Sequence, residues 1–133
     1  MFKTRYLLAL PLIALACSKH AGDTEPAEDH IPVATLSIAQ PTAGATYRNG
    51  DTVRFVATAI STENIHGYDV YVRRAGDTAN LYFDHIHDHN DTIRINTYWI
   101  NDRAAPQNLE ANFTLYLDHD GHLLKKSVPI SVQ

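Results

Sequence analysis

The residues most able to do chemistry in this 133-residue chain are its histidines. Six of the eight lie between positions 66 and 122, and the densest group is Asp84-His85-Ile86-His87-Asp88-His89. In an extended strand alternate side chains project from one face, with residues i and i+2 about 6.6–6.8 Å apart along the chain. On such a strand His85 and His87 offer two imidazoles to one ion, and His89 or Asp91 completes the set if the chain turns back. Imidazole suits Zn2+, Cu2+ and Ni2+, and because the neutral ring is the ligand, binding weakens as pH falls. Cofactor candidates are therefore zinc or copper. His119 and His122 flank a second turn, beside Asp118 and Asp120, and are a second candidate pair. The order of residues leaves open whether the two turns lie side by side or at opposite ends of the domain.

A plainer reading leads. Alternating histidines also suit the solvent side of an edge strand, where polarity discourages edge-to-edge pairing. His85 shares parity with Leu81 and Phe83, which also suits a hydrogen-bonded place at the core margin. Asp118-His119-Asp120-Gly121 makes a sufficient tight turn without any metal. Calcium is a further option at these acids, but neither turn has the twelve-residue loop with a terminal Glu. The sequence contains no nucleophile elbow, phosphate-binding glycine loop or paired cysteine. The expectation is therefore a domain without catalytic activity. Tyr71 and Tyr98 lie on the opposite parity to the apolar faces of their strands and are candidate surface contacts for a glycan or a protein. Tyr68, Tyr82 and Trp99 would extend them into an aromatic platform, although Trp99 shares parity with Ile93 and Ile95 and is better placed in a core. A net charge of −4 argues against nucleic acid as a partner.

These side chains need a scaffold, and the N-terminus is not part of it. Lys3 and Arg5 precede an apolar run from Tyr6 to Ala16 that is too short to span a bilayer. The segment Leu12-Ile13-Ala14-Leu15-Ala16-Cys17 resembles a bacterial lipoprotein signal, which implies cleavage before Cys17 and lipid attachment to that residue. Residues 1–16 are then a signal peptide, and their loss removes Lys3 and Arg5 but no acid, taking the net charge from −4 to −6. Residues 17–32, rich in Gly, Pro, Ala and acids, read as a flexible tether. The expected location is the bacterial cell envelope, outer membrane first, with the lipid anchor as the membrane contact.

From residue 33 to 133 the pattern has period 2, the signature of strands. Leu36 and Ile38 alternate before Pro41-Thr42-Ala43-Gly44. Val53, Phe55, Ala57 and Ala59 follow the turn at Asn49-Gly50-Asp51. Tyr68, Val70 and Val72 form the next strand, and Leu81, Phe83 and His85 share one face of a fourth. Ile93, Ile95, Thr97 and Trp99 share a face of a fifth, and residues 101–108 form the longest loop. Phe113, Leu115 and Leu117, then Val128, Ile130 and Val132, close the domain. About seven strands at this spacing predict an all-β immunoglobulin-like Greek-key sandwich. The expected core is Val53, Phe55, Val70, Val72, Ile93, Ile95, Leu115, Leu117, Val128 and Ile130.

The run from Leu36 to Tyr47, then Asn49-Gly50-Asp51-Thr52-Val53, resembles the opening of bacterial Ig-like domains found beside catalytic modules in secreted glycan-degrading enzymes. Phe113-Thr114-Leu115, Asp118 to Gly121 and Val128 to Val132 resemble the last hairpin of such domains. The central histidines are more similar to small Ig-like lipoproteins of Bacteroidota. These resemblances imply a fold and an address, and no catalytic residue. The functional expectation is a lipid-anchored envelope module that binds a protein complex or glycan, with a metal-binding lipoprotein as the alternative. Replacing Cys17 with Ser should abolish lipid attachment, and mass spectrometry of the mature N-terminus should find lipidated Cys17 in the wild type only.

Overall fold

The computed structural model describes residues 30–133, so the expected signal peptide, Cys17 and most of the expected tether lie outside the described residues. Among the described residues no helix is long and apolar enough to cross a membrane. They form eight strands: β1 (Ala34–Gln40), β2 (Ala45–Tyr47), β3 (Thr52–Ser61), β4 (Tyr68–Arg74), β5 (Asn80–Ile86), β6 (Thr92–Ile100), β7 (Gln107–Tyr116) and β8 (Leu123–Val132). One sheet has the order β1-β3-β6 and the other β2-β8-β7-β4-β5. This is the expected immunoglobulin-like sandwich. The sequence pattern did not show β2, a three-residue strand that pairs parallel with β8. Three residues are too few for a period to be visible, and β2 forms because the chain crosses at Pro41 to the edge of the second sheet.

The alternation does what burial requires. Val53, Phe55, Ala57 and Ala59 of β3 face inward, as do Val70 and Val72 of β4 and Ile93, Ile95 and Trp99 of β6. Of the ten expected core residues, nine are buried and Val128 packs at the margin. Leu109 and Ala111 are also buried, because β7 begins at Gln107, inside the stretch expected to be loop. Phe55 couples the two layers. Its ring stacks on Tyr82 of β5 at 5.5 Å and meets the edge of Phe113 of β7 at 6.2 Å.

β5 is the strand whose parity has the less obvious orientation. Phe83 and His85 share the outer face, and Phe83 is 52% exposed, but Leu81, expected on the same face, lies at a register shift opposite Val72 and Arg73 and packs against the core. Tyr82, Asp84 and Ile86 point toward the other sheet instead. The reason is amphipathic: the Tyr82 ring packs on Phe55 while its hydroxyl lies 3.2 Å from Thr97 Oγ1. His85 is therefore on the outside of the sheet, not at the core margin.

Antiparallel pairing decides where the loops go. β4 pairs antiparallel with both β5 and β7, β3 with β6, and β7 with β8. The β3–β4, β5–β6 and β7–β8 loops are thereby brought to one end of the sandwich. Ile65 of the first loop is fully buried and closes the core there.

Phe55→Ala should destabilise the domain by about 3–5 kcal/mol and Leu115→Ala by about 2–5 kcal/mol, through lost transfer energy and a residual cavity. Phe83→Ala, on the outer face, should stay within about 0.5 kcal/mol of wild type. Urea unfolding of the three variants would measure the contrast.

Candidate metal centre

Backbone hydrogen bonds tie the three loops together. Ser61 and Ile65 N–H donate to the carbonyls of Asp91 and Asn90, joining the first loop to the second. His66 N–H donates to Tyr116 O at 2.7 Å, and Tyr116 N–H donates to Gly67 O at 3.0 Å, joining the first loop to the end of β7. Gly67 has φ +123°, and a Cβ there would stand 2.6 Å from the Ile86 carbonyl oxygen. The site thus needs a residue without a side chain next to His66.

At this end an open groove of 470 Å³ gathers His66, His85, His87, His89 and His119, with Tyr116 and Asp118 beside them. The rings form an arc. His66 lies 4.0 Å from His119 and 5.1 Å from His89, centroid to centroid. His87 is 6.1 Å from His89 and 4.9 Å from His85. The two candidate turns therefore meet, which the sequence had left open. The expected trio His85, His87 and His89 is present in the groove together with His119.

His66 was not singled out from the sequence, yet it touches both His89 and His119. Its isolation between Ile65 and Gly67 hides it from any motif. The signal that would have found it is topological: strand pairing puts alternate loops at the same end. His66 is half-buried, and its Nδ1 is buried without a hydrogen-bond partner. Burial, reinforced by the neighbouring His119 and His89, pushes its pKa below the ordinary histidine value, so the neutral ring is favoured.

His85 and His122 are each held by a carboxylate. His85 Nδ1 donates to Asp69 Oδ1 at 2.5 Å, which leaves Nε2 as the ring's lone-pair nitrogen. Asp69 is nearly buried and also accepts the Tyr116 hydroxyl at 2.5 Å. That hydrogen bond, with burial and the Asp69 charge, pushes Tyr116 up to about 12, so the phenol stays a neutral donor. His122 lies behind its turn, with Nδ1 2.5 Å from Asp118 Oδ2. Burial raises the Asp118 pKa, but hydrogen bonds from the His122 ring and from the His122 and Asp120 N–H groups outweigh it and hold the carboxyl below its usual value. Asp118 is thus occupied in building its turn, and Asp88 accepts from Asn90, which leaves little to favour calcium.

Among the described residues no three histidine, cysteine or acidic side chains stand in metal-holding positions. The imidazoles pack against one another, His66 on His89 and His85 on His87 edge to face. Two of their four spacings, His66–His89 at 5.1 Å and His85–His87 at 4.9 Å, match what an ion requires. With nitrogens about 2.0–2.1 Å from a tetrahedral ion, two imidazole centroids are about 5 Å apart.

The tyrosine candidates do not form one surface. Tyr98, 58% exposed, is on the outer face of the three-stranded sheet. Tyr71 is on the outer face of the five-stranded sheet, with the Arg73 guanidinium 4.4 Å from its ring centroid. Tyr68 and Trp99 are buried and Tyr82 stacks on Phe55, so the expected aromatic platform is absent among the described residues.

No family model matches the chain, and no curated protein matches it. The fold is similar to that of the fibronectin(III)-like modules of CbhA from Clostridium thermocellum, at 21% identity and a TM-score of 0.46 over 74% of this chain and 94% of that one. It is also similar to part of a beta-glucosidase from Listeria innocua solved in complex with glucose, at 8% identity and a TM-score of 0.42. That match covers 74% of this chain and only 16% of the glucosidase chain.

Gly67→Ala should cost about 1–3 kcal/mol, because a side chain would be forced into a positive-φ position against a carbonyl. Thermal unfolding should detect the loss. Amide exchange should rise at His66 and Tyr116 before it rises in the core strands.

Proposed function

We propose that this domain binds a divalent transition metal ion, Zn2+ or Cu2+, through the imidazole arc at the loop end of the sandwich. One observation carries the reading: five imidazoles from three loops and the end of β5 converge in one groove, around a half-buried His66 whose Nδ1 has no partner. A buried polar nitrogen without a partner is costly, and an ion would satisfy it. The donor set selects the metal. Among the described residues the groove is lined by five imidazoles, with Tyr116 and Asp118, and so offers borderline nitrogen as its main donor. That favours Cu2+, Ni2+ and Zn2+ over Cu+, with Cu2+ the tightest.

The role is capture or buffering at the bacterial envelope, with Cys17 as the lipid attachment point and residues 17–32 as the tether. Loops at one end of an immunoglobulin-like sandwich are a usual place for binding, since the sheets hold them while their sequences vary. The wider reading, an envelope interaction module with a protein or glycan partner, is compatible with a bound ion at this end.

Calorimetric titration of the tag-free protein with ZnCl2 and CuCl2 tests the proposal. Binding should be saturable, tighter for copper, and should fade below about pH 6.5, where unperturbed histidine protonates. For the histidines the sign is fixed: protons compete for the ligand nitrogens, so affinity falls with pH. A protein that binds neither ion, or binds both equally at pH 5 and pH 7.5, contradicts the reading.

A further inference from the structure

Resting on that reading, we infer that the groove holds two ions in separate shells: His66, His89 and His119 around the first, His85 and His87 around the second. The count is the first reason. Five imidazoles exceed the four ligands of a zinc shell, and a catalytic or exchangeable site commonly uses three. The ring contacts are the second. His66 is the hub of the loop trio, at 4.0 Å from His119 and 5.1 Å from His89. His85 and His87 are a pair at 4.9 Å, and the widest step in the arc, 6.1 Å, separates His87 from His89.

The third reason is how the two groups are held. The trio stands on three loops that are joined to one another, or to the strand end beside them, by backbone hydrogen bonds. His85 is fixed by Asp69, which its Nδ1–H meets at 2.5 Å, and Asp69 is itself anchored by the Tyr116 hydroxyl. The His85 ring is therefore held by Asp69 at Nδ1, with His87 4.9 Å away as its neighbouring imidazole. A carboxylate behind a ligating histidine sets its tautomer and raises its basicity. Asp69 is thus a positioning residue for the second ion. Charge is distributed in the same way, with Asp118 bordering the groove at the trio and Asp69 behind the pair. Three imidazoles leave the first ion one open position, while two leave the second ion more. The second ion should accordingly be the weaker and more readily exchanged one.

Native mass spectrometry and calorimetry with ZnCl2 on the full tag-free chain should show two ions per chain, bound in two steps. His66→Asn combined with His119→Asn should remove the tighter step and keep the weaker. His85→Asn combined with His87→Asn should do the reverse. Asp69→Asn should weaken only the weaker step, by about 10–100-fold. Circular dichroism would confirm that each variant is folded, as expected for side chains outside the core. With one equivalent of Cu2+, electron paramagnetic resonance should count three coordinated imidazole nitrogens in the His85/His87 variant and two in the His66/His119 variant. One ion per chain, lost equally in both double variants, would overturn the two-shell arrangement while leaving metal binding intact. No ion in the wild type would overturn both.

Discussion

The site depends on a two-bond bridge between the β3–β4 loop and the end of β7. His66 N–H reaches the Tyr116 carbonyl, and Tyr116 N–H reaches the Gly67 carbonyl. The bridge continues the β4–β7 ladder beyond Tyr68, the first residue of β4. It also places the His66 side chain at the floor of the groove. Gly67 makes this possible, because a Cβ at this position would stand 2.6 Å from the Ile86 carbonyl oxygen. Loosening this junction would separate His66 from His119 without any change in either histidine.

Around that junction the fold supplies two kinds of support. Ile65, fully buried, anchors the loop to the apolar core from below. Asp69, on the outer face of β4, links Tyr116 of β7 to His85 of β5 across three neighbouring strands. A nearly buried carboxylate is unfavourable without hydrogen bonds. Asp69 receives two, and in return it orients one imidazole and keeps one phenol neutral. The interior of the sandwich, centred on Phe55, is separate from this polar network, so the groove can tolerate change in its rings while the core holds the sheets.

The fold was largely legible in the sequence because a strand with one face buried must alternate. Val53, Phe55, Ile93 and Ile95 show the rule at its plainest, and all are buried. The rule says which residues share a face but not which face is inside. On β5 both parities carry aromatic residues, Tyr82 and Phe83, so composition could not choose between them. Tyr82 went inward because Phe55 stands opposite and Thr97 is available for its hydroxyl. That choice put His85 on the outside, where it meets Asp69. Strand β2 was invisible for a different reason, being defined by its pairing with β8 and not by any internal period.

The site divides along the same line. The local chain alone determined that His85 and His87 project to one side, because successive residues of a strand alternate, and that His119 sits in a tight turn, because Asp and Gly favour one. His66 and Asp69 carry no local signal. One stands alone between Ile65 and Gly67, and the other is a single acid in an apolar strand. Their roles arise from contacts across long stretches of sequence, His66 with His119 and Asp69 with His85 and Tyr116. Such contacts exist only once antiparallel pairing has brought three separate loops to one end of the sandwich. Residue type and spacing set what each side chain can do; the register between strands decided which of them meet.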